Sequence, residues 1–302
     1  QPWDTGYLVR DVHEIYYEQC GAKDGIAVVF LHRGPGAGCS PAHRRLFDPK
    51  TYRAILFDQR GCGRSRPYAS IKGNNTDALV EDIEALRCHL GLDKLVLFGG
   101  SWGSTLALCY GLRYPENCAG FVLRGIFLGT KAEIDWFLYE MGRFFPEAQK
   151  EFLNHLPEPE RGDILKAYYK RLTSLSSVEA ISAAKKWASY ENSCATLAAQ
   201  KRGAGDGALA ISLIESHYFV NGCFLPDGYI LDNLGKISHL PAVIVNGRHD
   251  VICPPFTARK LCDKWGSKAT IHLIDTAGHS AFEQGMLSAL MKGLDKITQR
   301  LP

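Results

Sequence analysis

The sequence predicts an α/β protein: a mostly parallel central sheet flanked by helices, with an inserted helical segment. Three observations carry this. Short apolar, β-branched runs alternate with helix-periodic stretches through the first 125 residues. Strand runs then vanish between about residues 131 and 213. Near residue 242 the alternation returns. A strand that is apolar along its whole length is one buried on both faces, as in a parallel sheet covered by helices.

The strand runs are Ile26–His32, Ala54–Asp58, Leu95–Phe98 and Phe121–Leu123, each bounded by Gly, Pro or polar residues. Between them, Asn75–Leu90 places Leu79, Ile83, Leu86 and Leu90 at spacings of 4, 3 and 4, with Asn75 or Thr76 as N-cap and Gly91 as the stop. A second helix, Ser104–Tyr114, is closed by Pro115. From Lys131 to Leu213, aromatic and Leu residues recur at helical spacing (Trp136, Phe137, Tyr139 and Met141, then Ile164, Leu165, Tyr168 and Leu172). Pro146, Pro157 and Pro159 punctuate this insertion, which ends near Asp232–Ser238. Strands Ala242–Asn246 and Thr270–Ile274 follow. A last helix, Met286–Leu301, aligns Leu287, Leu290, Leu294 and Ile297 on one face.

Composition narrows the class further. The chain has 302 residues, 46% hydrophobic and 22% charged, with a net charge of +3. These values exclude a disordered or collagen-like chain. No run of Lys and Arg forms a basic stripe, so no nucleic-acid partner is expected. The apolar stretch Ile26–Leu31 is too short to span a bilayer, and no signal-peptide pattern opens the chain. The chain begins at Gln1, so a short segment with the initiator Met is expected to precede it. The ten cysteines contain no C-x-x-C pair and read as reduced thiols of a cytoplasmic protein, although their even number allows disulfides.

Gly99-Gly100-Ser101-Trp102-Gly103 matches G-x-S-x-G. By itself such a match is weak, and a Gly-rich loop with an idle Ser would produce it too. Its setting gives it weight: it follows the strand Leu95–Phe98 and opens the helix Ser104–Tyr114, the strand–turn–helix context that exposes a nucleophilic hydroxyl on a tight turn. A serine nucleophile needs a base and an orienting acid, in the chain order Ser, acid, His. Asp250 follows the strand Ala242–Asn246, and His279 follows the strand Thr270–Ile274. Both stand past the C-terminal ends of strands, where open α/β sheets place their sites. His249, adjacent to the acid on one loop, is assigned to the surroundings of the site. Oxyanion donors are expected from the N–H of Trp102 and from the loop His32-Arg33-Gly34-Pro35-Gly36-Ala37-Gly38, at Gly34. That loop breaks the dinucleotide pattern G-x-G-x-x-G at Cys39, and no cofactor or metal site is expected.

With these residues in view, the whole chain resembles the proline iminopeptidases of the α/β-hydrolase superfamily. The resemblance rests on Thr5-Gly6-Tyr7-Leu8, on Tyr16 to Gly21, on Phe57-Asp58-Gln59-Arg60-Gly61-Cys62-Gly63-Arg64-Ser65 and on Gly99 to Leu106. Leu123 to Phe127, Glu215-Ser216-His217-Tyr218-Phe219, and Gly247-Arg248-His249-Asp250 with Cys253-Pro254 add to it. It implies an α/β-hydrolase core of residues 1–125 and 238–302 with a helical cap of residues 126–237 over the active site. It further implies release of N-terminal proline from peptides without a cofactor, with Ser101 as nucleophile, His279 as base and Asp250 as its orienter. The family binds the substrate's free amino terminus with acidic cap residues. Glu215 matches one, and Glu191, in Trp187-Ala188-Ser189-Tyr190-Glu191, matches the other. Glu191 can equally be read as part of a solvated helix face. The resemblance also implies that Arg124 holds the acids or the peptide backbone. It puts Cys253 beside the acid loop, where a thiol reagent would inhibit without the thiol being catalytic.

Two positions depart from the family pattern. Where the family has His-Gly-Gly-Pro-Gly, this chain has Arg33. If that position needs positive φ, Arg costs about 1 kcal/mol or more, and reduced or altered activity follows. His249 stands where the family usually has Tyr, a mild change. The competing readings are another α/β hydrolase, either an esterase or a broader aminopeptidase, and a weakly active or non-catalytic binding protein disabled at Arg33. A monomer or small homo-oligomer is expected.

Overall fold

The computed structural model describes residues 1–197 and 205–299. An eight-stranded sheet forms its centre, in the order β1-β2-β4-β3-β5-β6-β7-β8. β1 (Asp4–Arg10) and β2 (His13–Gly21) form an antiparallel hairpin, and β2 pairs antiparallel with β4 (Tyr52–Phe57). β3 (Ile26–Leu31), β5 (Leu95–Ser101), β6 (Cys118–Ile126), β7 (Ala242–Gly247) and β8 (Ala269–Ile274) complete a parallel array with β4.

The parallel strands were legible because both faces are covered. Along β3, Val28 and Phe30 pack into one core and Val29 and Leu31 into the other. This is the two-residue period of a strand with no solvent face. α1 (Thr76–His89) and α2 (Trp102–Arg113) cover the face of Val29 and Leu31. α1 starts where the sequence predicts, with the Asn75 side chain accepting the Ala78 N–H at 2.8 Å. α10 (Met286–Thr298) covers the other face with Met286, Leu290, Leu294 and Ile297 fully buried. Each such side chain gains about 1.5–3 kcal/mol over exposure. The sequence reading of this helix extends to Leu301, which lies outside the described residues.

Sequence patterning does not find β1, β2 or α9 (Pro255–Trp265). β1 is an edge strand whose residues alternate between half-buried and exposed, and its polar Asp4, Thr5 and Arg10 dilute the apolar signal. The segment after β6 contains α3 (Lys131–Asp135), α4 (Pro146–Asn154), α5 (Ile164–Leu172), α6 (Ser177–Cys194), α7 (Ala208–Val220) and α8 (Tyr229–Asn233), with no strand among its described residues. The predicted helical stretch from Lys131 to Leu213 also crosses residues 198–204, which lie outside the described residues.

These helices are tied to the sheet's C-terminal edge at several points. The Trp136 indole donates to the Val251 carbonyl at 2.7 Å, and the His279 and Ser280 N–H groups donate to the Ala195 carbonyl at 3.1 and 3.0 Å. The Tyr218 hydroxyl donates to Asn74 at 2.9 Å, and its ring meets Trp102 edge-on. All ten cysteines are free thiols. Among the described residues no single helix is long and apolar enough to cross a membrane.

Candidate active site

Ser101 ends β5 and immediately precedes α2, with φ +57° and ψ −127°. A non-glycine residue in this region is strained, and such strain is tolerated where the surroundings hold it. They hold it tightly here. A Cβ on Gly99 would lie 2.1 Å from the Gly103 carbonyl oxygen, and one on Gly103 would lie 2.0 Å from the Leu31 oxygen. Only glycine lets β5, the turn and β3 approach this closely. Ser104 braces the turn, its hydroxyl donating to the Ser101 carbonyl at 2.7 Å and accepting the Phe127 N–H at 3.2 Å. The Ser101 hydroxyl lies near the Cys253 thiol, whose pKa it biases downward against burial.

Asp250 and His279 meet as expected. Nδ1 of His279 lies 2.8 Å from Oδ2 of Asp250, and both side chains are buried. Oδ1 of Asp250 accepts the N–H groups of Ile252 and Cys253 at 3.1 and 2.8 Å. The carboxylate is therefore fully engaged, and the imidazole edge that faces it is the one that donates. Nε2 of His279 is buried without a hydrogen-bond partner. The Ser101 and His279 side chains share no hydrogen bond in this structure, which leaves Nε2 as an open acceptor. Gly125, with φ +54°, lets β6 pass close beneath the pair: a Cβ there would lie 3.0 Å from His279 Cε1.

Arg124 is buried beside this pair. Its guanidinium donates to the His279 carbonyl and lies flat against Gly100, where a Cβ would sit 2.4 Å from Nη2. Burial pulls its pKa down, while the Asp250 charge opposes that shift. Arg124 thus joins the Ser101 turn to the His279 loop. Cys253 is buried too, and burial, reinforced by Asp250, pushes its thiol pKa well up, so the sulfur stays protonated. His249 is exposed, and its N–H donates to the Ala277 carbonyl at 3.0 Å.

The loop after β3 carries Gly34 at φ +118°. Arg33 has no positive φ, so the expected backbone strain at Arg33 is absent. His32 anchors the loop from below. The Gln59 N–H donates to its Nε2 at 3.0 Å, which leaves Nδ1 to donate to the Arg33 carbonyl at 2.9 Å. The Gln59 side chain accepts from the Trp102 indole at 2.9 Å and donates to the His32 carbonyl at 3.1 Å. Gln59 therefore bridges the two segments from which oxyanion donors are expected. Trp102 opens α2, so its N–H has no acceptor within the helix.

Glu191 on α6 and Glu215 on α7 are both buried, at 2% and 3% exposure, which excludes the solvated-face reading of Glu191. The Trp187 indole donates to Glu215 at 2.5 Å. Burial, followed by the neighbouring charge of Glu191, holds the Glu215 carboxyl well above the usual range. Arg33 Nη1 pairs with Glu191 Oε1 at 2.6 Å, and Nη2 donates to Asn192 at 3.3 Å. Glu191 chiefly raises the Arg33 pKa in return. Sequence reasoning assigned no role to Gln59, Trp187 or Asn192, although the first two lie in segments that carry the family resemblance.

Fold and chain order define the class as an α/β hydrolase. The family described as alpha/beta hydrolase fold matches residues 26–286. A proline iminopeptidase from Arabidopsis thaliana is 47% identical over 307 residues, covering 98% of this chain and 80% of its own length. One from Xanthomonas citri is 45% identical, covering 97% of this chain and 96% of its own. The chain belongs to the proline iminopeptidases. Among solved structures, the fold is similar to an esterase from Exiguobacterium antarcticum (TM-score 0.63, 19% identity, 97% of this chain and 99% of that one). It is also similar to the proline iminopeptidase of Mycobacterium smegmatis (TM-score 0.62, 16% identity, 98% of each chain).

Proposed function

We propose that the protein is a serine aminopeptidase that releases N-terminal proline from peptides through an acyl-enzyme. The observation that carries the chemistry is the buried Asp250–His279 pair with Nε2 unpartnered, past the C-terminal ends of β7 and β8 in the same sheet whose β5 ends at a strained Ser101. Ser101 Oγ attacks the prolyl carbonyl while His279 Nε2 takes its proton, and Asp250 holds the imidazolium that forms. The N–H groups of Trp102 and Gly34 receive the oxyanion. Collapse expels the rest of the peptide, whose amine takes the proton from His279. Water, deprotonated by the same nitrogen, then hydrolyses the prolyl ester of Ser101 and frees proline.

Glu191 and Glu215 hold the secondary ammonium of the substrate, since a buried carboxylate pair favours a cation through charge-assisted hydrogen bonds. An esterase gains nothing from two buried acids beside its acyl pocket. The helical segment 126–237 forms a cap over a core of residues 1–125 and 238–302. Ten free thiols accord with a cytoplasmic protein.

A serine-directed fluorophosphonate should label Ser101. Pro-arylamides should be cleaved and N-acyl-Pro arylamides left intact, and Ser101→Ala should lower kcat by about 10⁴-fold or more. Cleavage of simple acyl esters together with failure on Pro-arylamides would overturn the reading.

A further inference from the structure

We propose that Arg33 is an internal cation seated in the amine subsite, which a substrate's ammonium must displace from Glu191, so that Arg33 sets how strongly this enzyme prefers charged over neutral substrates. This rests on Glu191 and Glu215 forming that subsite. Arg33 lies on the oxyanion loop, 158 residues from Glu191 in sequence, yet its guanidinium reaches Glu191 Oε1 at 2.6 Å. It also feels the charge of Glu215. A guanidinium therefore stands where a cationic ligand of the two carboxylates is expected.

The charge balance gives this occupant its effect. Two buried carboxylates without a counterion are strongly unfavourable and draw a cation in. With Arg33 in place one charge is already compensated, and an incoming ammonium gains correspondingly less. The other Glu191 oxygen, Oε2, is buried and unpartnered, so it is a vacant acceptor that the ammonium gains once Arg33 moves aside. Arg33 is also able to leave. Its side chain is 34% exposed, whereas that of Glu191 is 3%. It lines two cavities, one of about 120 Å³ shared with Arg124 and His279 and one of about 210 Å³ shared with Ala37, Ala188 and Ile211. Its second hydrogen bond, to Asn192, is long at 3.3 Å.

The test separates binding from turnover. Prolinamide is titrated calorimetrically into Ser101→Ala protein and into the same protein carrying Arg33→Gln, Arg33→Met or Arg33→Lys. The uncharged replacements should tighten prolinamide about tenfold or more, and the lysine, which keeps the charge, should bind as weakly as the parent. In the active background, KM for a Pro-arylamide should fall on Arg33→Gln, with a smaller change in KM for a neutral ester. Unchanged or weaker prolinamide binding in both uncharged variants overturns the proposal, as does equal tightening by lysine. Failure of the unmutated enzyme to release proline would instead count against the proposed function, because the prolinamide comparison does not depend on turnover.

Discussion

The guanidinium of Arg124 donates to the main-chain carbonyl of His279, while its flat face covers Gly100 one residue before Ser101. One side chain thus bridges the Ser101 turn on β5 and the loop that carries His279.

Arg124→Met keeps most of the apolar stem and removes the donor. The His279 carbonyl then loses a charge-assisted partner in a buried site, a loss of about 1.5–3 kcal/mol in stability. We expect kcat to fall about 10–100-fold, with KM for a Pro-arylamide changed much less, because the imidazole is misplaced rather than the substrate. Steady-state kinetics and thermal melting check this, and a variant with KM raised and kcat intact would show that Arg124 binds substrate instead.

Glu215 gives a pH signature. Its carboxyl is held well above the usual range by burial and by Glu191, so it ionises only at higher pH. Pairing with an ammonium needs the ionised form, so kcat/KM for a Pro-arylamide should show an extra limb, rising with pH through that raised value, that a neutral ester lacks. Glu215→Gln should remove the extra limb and lower kcat/KM for the Pro-arylamide about 10–100-fold. The same raised pKa means that the folded state binds a proton the unfolded chain has released, so this group's contribution to stability declines as pH rises from the ordinary carboxylate range. Identical pH profiles for the two substrates would refute the assignment.

Gln59 bridges Trp102 and the His32 carbonyl, so it aligns two segments without touching substrate. Gln59→Leu should lower kcat about tenfold or more, short of the 10²–10³ lost with an oxyanion donor itself. Fluorophosphonate labelling should slow in parallel, since it needs the same oxyanion geometry. Gln59→Glu keeps the acceptor for the indole but sets a carboxylate oxygen against the His32 carbonyl in place of a donor, so it should lose activity as well.

Gly103→Ala tests the packing of the turn. Its Cβ would sit 2.0 Å from the Leu31 carbonyl oxygen, a contact that neither backbone can relieve without moving. A loss of about 3 kcal/mol, read as a lower melting temperature, is expected, together with loss of Ser101 labelling. Gly162→Ala, which has open space around it, should leave both unchanged.

Much of the fold was legible because its signals are local. The buried strands are continuous apolar runs, α1 announces its start with Asn75, and α10 shows one apolar face. The edge strand β1 was not legible, since an edge buries little and alternates weakly. Ser101, Asp250 and His279 were legible as a chain order and as strand-end positions, which needs no knowledge of contacts.

Arg33 marks the boundary between the two kinds of information. Sequence comparison with the family pattern presents it as a residue in place of glycine, hence as a question of backbone strain. The backbone at Arg33 is unstrained, and the consequence lies instead in its side chain, which pairs with an acid on another element. Periodicity, glycine placement and chain order depend on neighbours along the chain, so the sequence alone determined the α/β core and the tight turn that carries Ser101. Which carboxylate a cation meets depends on how the sheet gathers distant loops, so tertiary structure alone decided the partners of Arg33, Arg124 and Gln59.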